Sequence, residues 1–253
     1  MKIKHIISLI VPTIIIISSC DNAFYDMADW HEKRDYGKLP QIKDFRNYVL
    51  RANNVDTLPL EIAFPPGAKS DLVKAELSVT DGKFLPDNEK SVSLSQKFKK
   101  PNNDSTYLRA FLVTSNSEGF HQLTIDIPDV YKRTYAIMYN KSLPSRVSVS
   151  RNKIAVKNDK IDVVELSAKL SSNPGLAHKG TNISFVVADS LHSDNEQYFT
   201  NYQSVNSSGV ATIHFSPGYL NGYLGLLPVV AYTFNENKEL ISDTTHIELV
   251  EAK

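Results

Sequence analysis

Cysteine is all but absent: a single thiol, Cys20, occurs in 253 residues. A disulfide framework within the chain and a paired-cysteine metal site are excluded at once. Tryptophan is equally scarce, with Trp30 as the only one. Net charge is lacking too: 28 basic residues face 28 acidic ones, and losing Lys2 and Lys4 with the leader leaves the mature chain at −2. Nucleic acid and anionic lipid surfaces are therefore not expected to be held by charge, since both need clustered Lys and Arg on the protein. No apolar run is long enough to span a bilayer. Ile6 to Ile17 is the best, and as a helix it would cover about 18 Å of a ~30 Å hydrocarbon core, with Pro12 inside it.

Catalytic patterns are missing as well. The histidines, His5, His31, His121, His178, His192, His214 and His246, form no HExxH, and no GxSxG or phosphate-cradling glycine loop occurs. His214 and His246 fall in strand-like runs and are read as solvent-face or edge positions. Two Asp-Asn-Glu stretches, 87–89 and 194–196, each offer two carboxylates, too few for a calcium shell, and are read as solvated loop tips. The expectation is a non-enzyme with no cofactor and no metal.

What is present begins with the leader. Lys2 and Lys4 precede an interrupted apolar run, as in an export signal. Ile17-Ser18-Ser19-Cys20 then resembles a bacterial lipobox. The resemblance implies cleavage after residue 19 and lipidation of Cys20, which would hold the chain to a bilayer through two or three acyl chains at about 0.8 kcal/mol per methylene. The expected location is the cell envelope, and the outer membrane within it. Residues 20–54 carry closely spaced charges without sustained periodicity and are read as a tether. A short helix is expected over Gln41 to Arg51 from Ile42, Phe45 and Val49.

Beyond residue 55 the chain becomes short alternating runs punctuated by turn residues, beginning with Leu58, Leu60, Ile62 and Phe64 on one face. The fold class read from this pattern is all-β, as two tandem immunoglobulin-like sandwiches over 55–150 and 151–253. Internal similarity supports the division. "NSEGFHQLTI" (116–125) aligns with "NSSGVATIHF" (206–215), setting Gly119 opposite Gly209, and the tyrosine pairs Tyr131/Tyr135 and Tyr219/Tyr223 share one spacing. Those tyrosines are read as structural corner residues. The first unit carries extra residues around Val92 to Thr106, read as an added hairpin and as its most distinctive docking feature.

"LSAKLSSNPGLAHKGTNISFVV" followed by "NSSGVATIHF" resembles the bacterial Ig-like domains of invasin and intimin type surface proteins. The resemblance implies a spacer or adhesive module, with a membrane reached through the N-terminal lipid and a protein partner in the envelope. An accessory subunit of an outer-membrane uptake or secretion complex and a glycan-binding lipoprotein are the alternatives. Four triplets, Asp56-Thr57-Leu58, Asp104-Ser105-Thr106, Asp189-Ser190-Leu191 and Asp243-Thr244-Thr245, resemble O-glycosylation sequons of Bacteroidetes-type bacteria, which makes Thr57, Ser105, Ser190 and Thr244 candidate acceptors.

Overall fold

The computed structural model describes residues 40–42, 48–188, 197–218 and 224–251. Among the described residues the chain is all-β, apart from one 3-10 turn at Ser70–Leu72. Ten strands build a first sandwich: β1 (Gln41–Ile42), β2 (Leu50–Arg51), β3 (Thr57–Phe64), β4 (Ala75–Val79), β5 (Lys83–Leu85), β6 (Ser91–Leu94), β7 (Phe98–Lys99), β8 (Thr106–Val113), β9 (Gly119–Ile127) and β10 (Tyr131–Asn140). One sheet runs β1-β3-β8-β5, with β7 also on β8, and the other runs β2-β10-β9-β4-β6. Eight strands build the second sandwich: β11 (Arg146–Arg151), β12 (Ala155–Lys157), β13 (Val164–Ser171), β14 (Asn182–Ala188), β15 (Gln197–Ser204), β16 (Val210–Phe215), β17 (Gly225–Phe234) and β18 (Leu240–Val250). Its sheets run β11-β13-β16 and β12-β18-β17-β14-β15.

Period-2 patterning explains the layers. Leu58, Leu60, Ile62 and Phe64 on β3 face Leu77 on β4 and Leu123, Ile125 and Ile127 on β9, all nearly solvent-free. Val164, Leu166, Ala168 and Leu170 on β13 meet Phe185, Val187, Leu227, Val229 and Ala231 in the same way. The buried apolar residues thus fall into two separate clusters, one per sandwich. Burying a Leu or Ile of this kind is worth about 1.5–3 kcal/mol, which makes these inward rows the main source of stability.

The structure departs from the sequence reading in four places. First, the two ends of the stretch expected as a helix are strands: β1 pairs antiparallel with Ile62 and Ala63, and β2 pairs parallel with β10, while its middle, 43–47, lies outside the described residues. Leu50 and Ala52 are core residues, so the first sandwich starts at Gln41, earlier than 55. Second, the divide lies between Asn140 and Arg146, not near 150, because β11 pairs with β13 over six residues and Val147 enters the second core. Third, the hairpin expected around 92–106 is there but shorter: β7 and β8 pair antiparallel as consecutive strands, Phe98 opposite Tyr107 and Lys99 opposite Thr106, whereas β6 joins β4 in the other sheet, so the chain crosses between sheets before the hairpin begins. Fourth, the repeat is genuine but one strand out of register. β1, β2, β3, β4, β6, β8, β9 and β10 correspond by pairing to β11 through β18 in order, so Gly119, which opens β9, matches Gly225, which opens β17. Both have positive φ, 115° and 132°. Gly209 instead sits in the turn before β16.

Candidate interaction surfaces

The two sandwiches meet through a hydrogen-bonded junction built from loops. On the first side stand Asn53, Thr114, Asn116 and the linker residue Ser142, all buried. On the second stands the β13–β14 loop, the Pro-Gly stretch noted in the sequence. Leu176 N–H donates to the Asn53 carbonyl at 2.9 Å, His178 N–H to the Ser142 carbonyl at 2.8 Å, and Lys179 N–H to the Asn116 carbonyl at 2.6 Å. The Ser142 hydroxyl donates to that of Ser172 at 2.8 Å. Asn53 is fixed in turn: its Oδ1 accepts from the Val55 and Asp56 amides at 3.0 and 2.8 Å, and its Nδ2 donates to Asp56 at 2.7 Å. The close approach requires glycine at 175. Its φ is +86°, and a Cβ there would lie 2.2 Å from the Asn53 carbonyl oxygen.

The densest titratable network lies nearby. The Ser115 hydroxyl donates to Asp81 Oδ2 at 2.9 Å, the Tyr139 hydroxyl donates to the Asp81 carbonyl at 3.0 Å, and the His121 ring rests on Tyr139 with centroids 4.4 Å apart. Burial opposes a charge on Asp81, but Ser115, Ser117, the Gly82 amide and the nearby His121 more than offset it and hold the carboxyl below its ordinary range. Burial, then the Asp81 charge, pushes the Tyr139 phenol well above its usual range. His121 Nε2 lies 3.0 Å from the Ser117 carbonyl, so the imidazole is engaged with backbone and not with the Ser115 hydroxyl, whose partner is the Asp81 carboxylate. The network ties the β4–β5 turn to the β8–β9 loop. Its tyrosine is Tyr139, which sequence reading missed in favour of Tyr131 and Tyr135; the signal was its inward parity with Ile137 on β10.

A third cluster covers the outer face of the first sheet. Lys100 and Arg109 both bind Glu61, Lys100 at 2.7 Å. Lys100 also lies over the Tyr107 ring, Arg109 over Phe98, and the two rings stack at 5.4 Å. The Lys100 bond, opposed by burial and reinforced by Arg109, holds the Glu61 carboxyl below its ordinary range. The β7–β8 hairpin is therefore packed onto the sheet through Phe98, Lys100 and Tyr107, with its tip, 101–104, exposed.

The other sequence candidates scatter. Cys20 and Ser190 lie outside the described residues, as do His5, His31, His192, Tyr219, Tyr223 and 194–196. Thr57 and Thr244 are exposed, Ser105 is half-buried, and no structural feature draws the three together. Asp56 and Asp243 both have backbone partners, the Arg51 and Val149 amides at 2.9 and 2.8 Å. Asp87 and Glu89 are exposed around a tight turn. His178 is buried at the junction, whereas His214 and His246 are exposed as expected. Among the described residues no group of three metal-ligating side chains gathers, and no helix is long and apolar enough to cross a membrane.

No family model matches the sequence, and no curated relative does. Among solved structures, invasin, described as a bacterial integrin-binding protein, is similar at 10% identity with a TM-score of 0.47, over 85% of this chain and 39% of that one. The adhesin InvE of Yersinia pseudotuberculosis is similar at 14% identity and a TM-score of 0.40, over 83% of this chain and 58% of that one. The D00-D0 domain of intimin is similar at 12% identity and a TM-score of 0.32, over 84% of this chain and all of that one. The chain thus spans less than two thirds of the invasin and InvE structures, and nothing about what it binds follows from them. The solved structures to which this chain is similar include the invasin and intimin type surface proteins that its second unit resembles in sequence.

Proposed function

We propose that the chain is a lipid-anchored, non-enzymatic protein of the bacterial envelope, held at the outer membrane by Cys20, which presents two stacked sandwiches to a protein partner as a binding and spacer module. The observation that carries this reading is the junction. Its backbone bonds make the tandem one stiff unit, and the chain enters and leaves it at opposite ends. β1 pairs with Ile62 and Ala63, far from the junction residue Asn53, so Gln41 lies at the outer end of the first sandwich. β18 begins beside Asn235–Asn237, which line a cleft with the linker residues Ser142–Ser145, and it ends at Val250 on the far side. Strands of ten residues at about 3.3 Å per residue give each sandwich roughly 30 Å, so a lipid on the N-terminal side would hold the far end about 60 Å beyond the tether.

The test is Cys20→Ala in the producing cell, read by membrane fractionation and by labelling with an alkyne-bearing fatty acid. The native chain should take the label and partition with membranes, and the variant should do neither. A native chain recovered soluble, unlabelled and with its thiol free would refute the proposal.

A further inference from the structure

The outward faces of the two five-stranded sheets, β2-β10-β9-β4-β6 and β12-β18-β17-β14-β15, differ at one level in a way their shared topology does not require, although the neighbouring level of the first, Thr134, Thr124, Ser78 and Ser91, is also uncharged. At one level of the first, pairing sets Ser93, Glu76, Asp126 and Lys132 side by side, three of the four charged, with Lys132 3.1 Å from Asp126. On the strands that correspond in the second, pairing sets Tyr202, Ser184, Tyr232 and Ser242 side by side, all uncharged. The next level toward the far end holds Val186, Val230 and Thr244, and the level toward the junction holds Phe234 and Leu240, with Asn182 and Ser204 beside them on β14 and β15. No Asp, Glu, Lys or Arg interrupts this area, although such residues make up 22% of the chain. Tyr202 is 71% exposed, Phe234 56% and Leu240 58%, whereas Ser184, between the two tyrosine-bearing strands, is buried.

We infer that this face binds a neutral, extended saccharide chain. Tyr202 and Tyr232 are separated by one intervening strand, so they stand about 10 Å apart, two inter-strand spacings, which is close to the length of a disaccharide in a flat β-linked chain. Each ring offers an apolar face for the C–H side of a sugar and a phenol for its hydroxyls. Ser242, Thr244, Asn182 and Ser204 supply further donors and acceptors at the margins. The absence of charge removes both the attraction an acidic polymer would need and the desolvation cost a neutral ligand would otherwise meet. Tyr202 and Tyr232, on one face of one sheet, thus provide an aromatic platform. The inference rests on the binding role proposed above for its setting. Its test uses the mature chain carrying Cys20→Ser and no lipid, so failure of binding and failure of anchoring are separate results.

Titration calorimetry with cellohexaose is the experiment. Tyr202→Ala and Tyr232→Ala should each weaken binding about tenfold or more, the loss of one stacked ring. Tyr202→Phe, which keeps the ring, should bind nearly as the parent and guards against misfolding as the cause. Phe120→Ala, at an exposed position on the corresponding sheet of the first sandwich, should change nothing. Absence of heat with cellohexaose, affinity unaltered in both tyrosine-to-alanine variants, or tighter binding of an acidic galacturonate hexamer would each overturn the inference.

Discussion

Replacing Gly175 by alanine should loosen the two sandwiches from each other while leaving each folded. Two costs add at this position. A residue with φ near +86° pays about 1–2 kcal/mol once it carries a Cβ. The Cβ would also sit 2.2 Å from a backbone oxygen, that of Asn53, and 2.8 Å from Val55 Cγ2, and backbone cannot swing aside as a side chain tip can. Relieving that overlap means parting the loops, at about 1–3 kcal/mol by analogy with overpacked cores, and breaking the Leu176-to-Asn53 bond at 2.9 Å. Gly67→Ala is the matched control: its φ is +79°, but nothing lies within 4 Å of the new Cβ. The difference between the two variants therefore isolates the junction. Calorimetry should show a single transition in the parent and in Gly67→Ala, with two separated transitions in Gly175→Ala, and small-angle scattering should broaden only in the latter. Equal losses in both variants with unchanged scattering would refute the argument that contact with Asn53 joins the sandwiches.

Acid should act through Glu61. Its carboxyl is held below the ordinary range in the folded chain, so its stabilising contribution is complete above the unfolded pKa and fades as pH falls through the folded one. Glu61→Gln should then flatten the loss of stability between about pH 5 and pH 3, measured by urea unfolding across that window; a slope identical to that of the parent would show that the pairs with Lys100 and Arg109 contribute nothing. Fragments locate the divide: residues 144–253 should fold cooperatively, whereas 155–253, lacking β11 and Val147, should lose several kcal/mol or fail to fold, and equal stability of the two by denaturant titration would return the boundary to position 150.

Most of the architecture could be read from the residues because alternation is a local signal. Leu58, Leu60, Ile62 and Phe64, or Val164, Leu166, Ala168 and Leu170, announce one buried face without reference to the rest of the chain. What escaped were elements whose existence depends on distant partners. β1 and β2 are two residues each, too short for any period, and β2 is held by β10 about 90 positions later. β12 depends likewise on β18. Position on the sheet also decided which tyrosine matters, since Tyr139 is buried through inward parity while the matched spacing of Tyr131 and Tyr135 drew attention elsewhere. The uncharged face of the second sandwich was invisible for the same reason: Tyr202, Ser184, Tyr232 and Ser242 are scattered along the sequence and become neighbours only through pairing.

The parallel pairings of β2 with β10 and of β12 with β18 have a mechanical meaning. In each sandwich a strand near the point of entry lies alongside the strand by which the chain leaves, running the same way. A pull between the two ends of the tandem would drag these strands lengthwise past each other, so their hydrogen bonds would have to rupture together and could not be peeled one at a time. The first clasp has two paired positions and the second has three. Under tension the first sandwich is then the one to yield, lengthening the chain while the second keeps its shape.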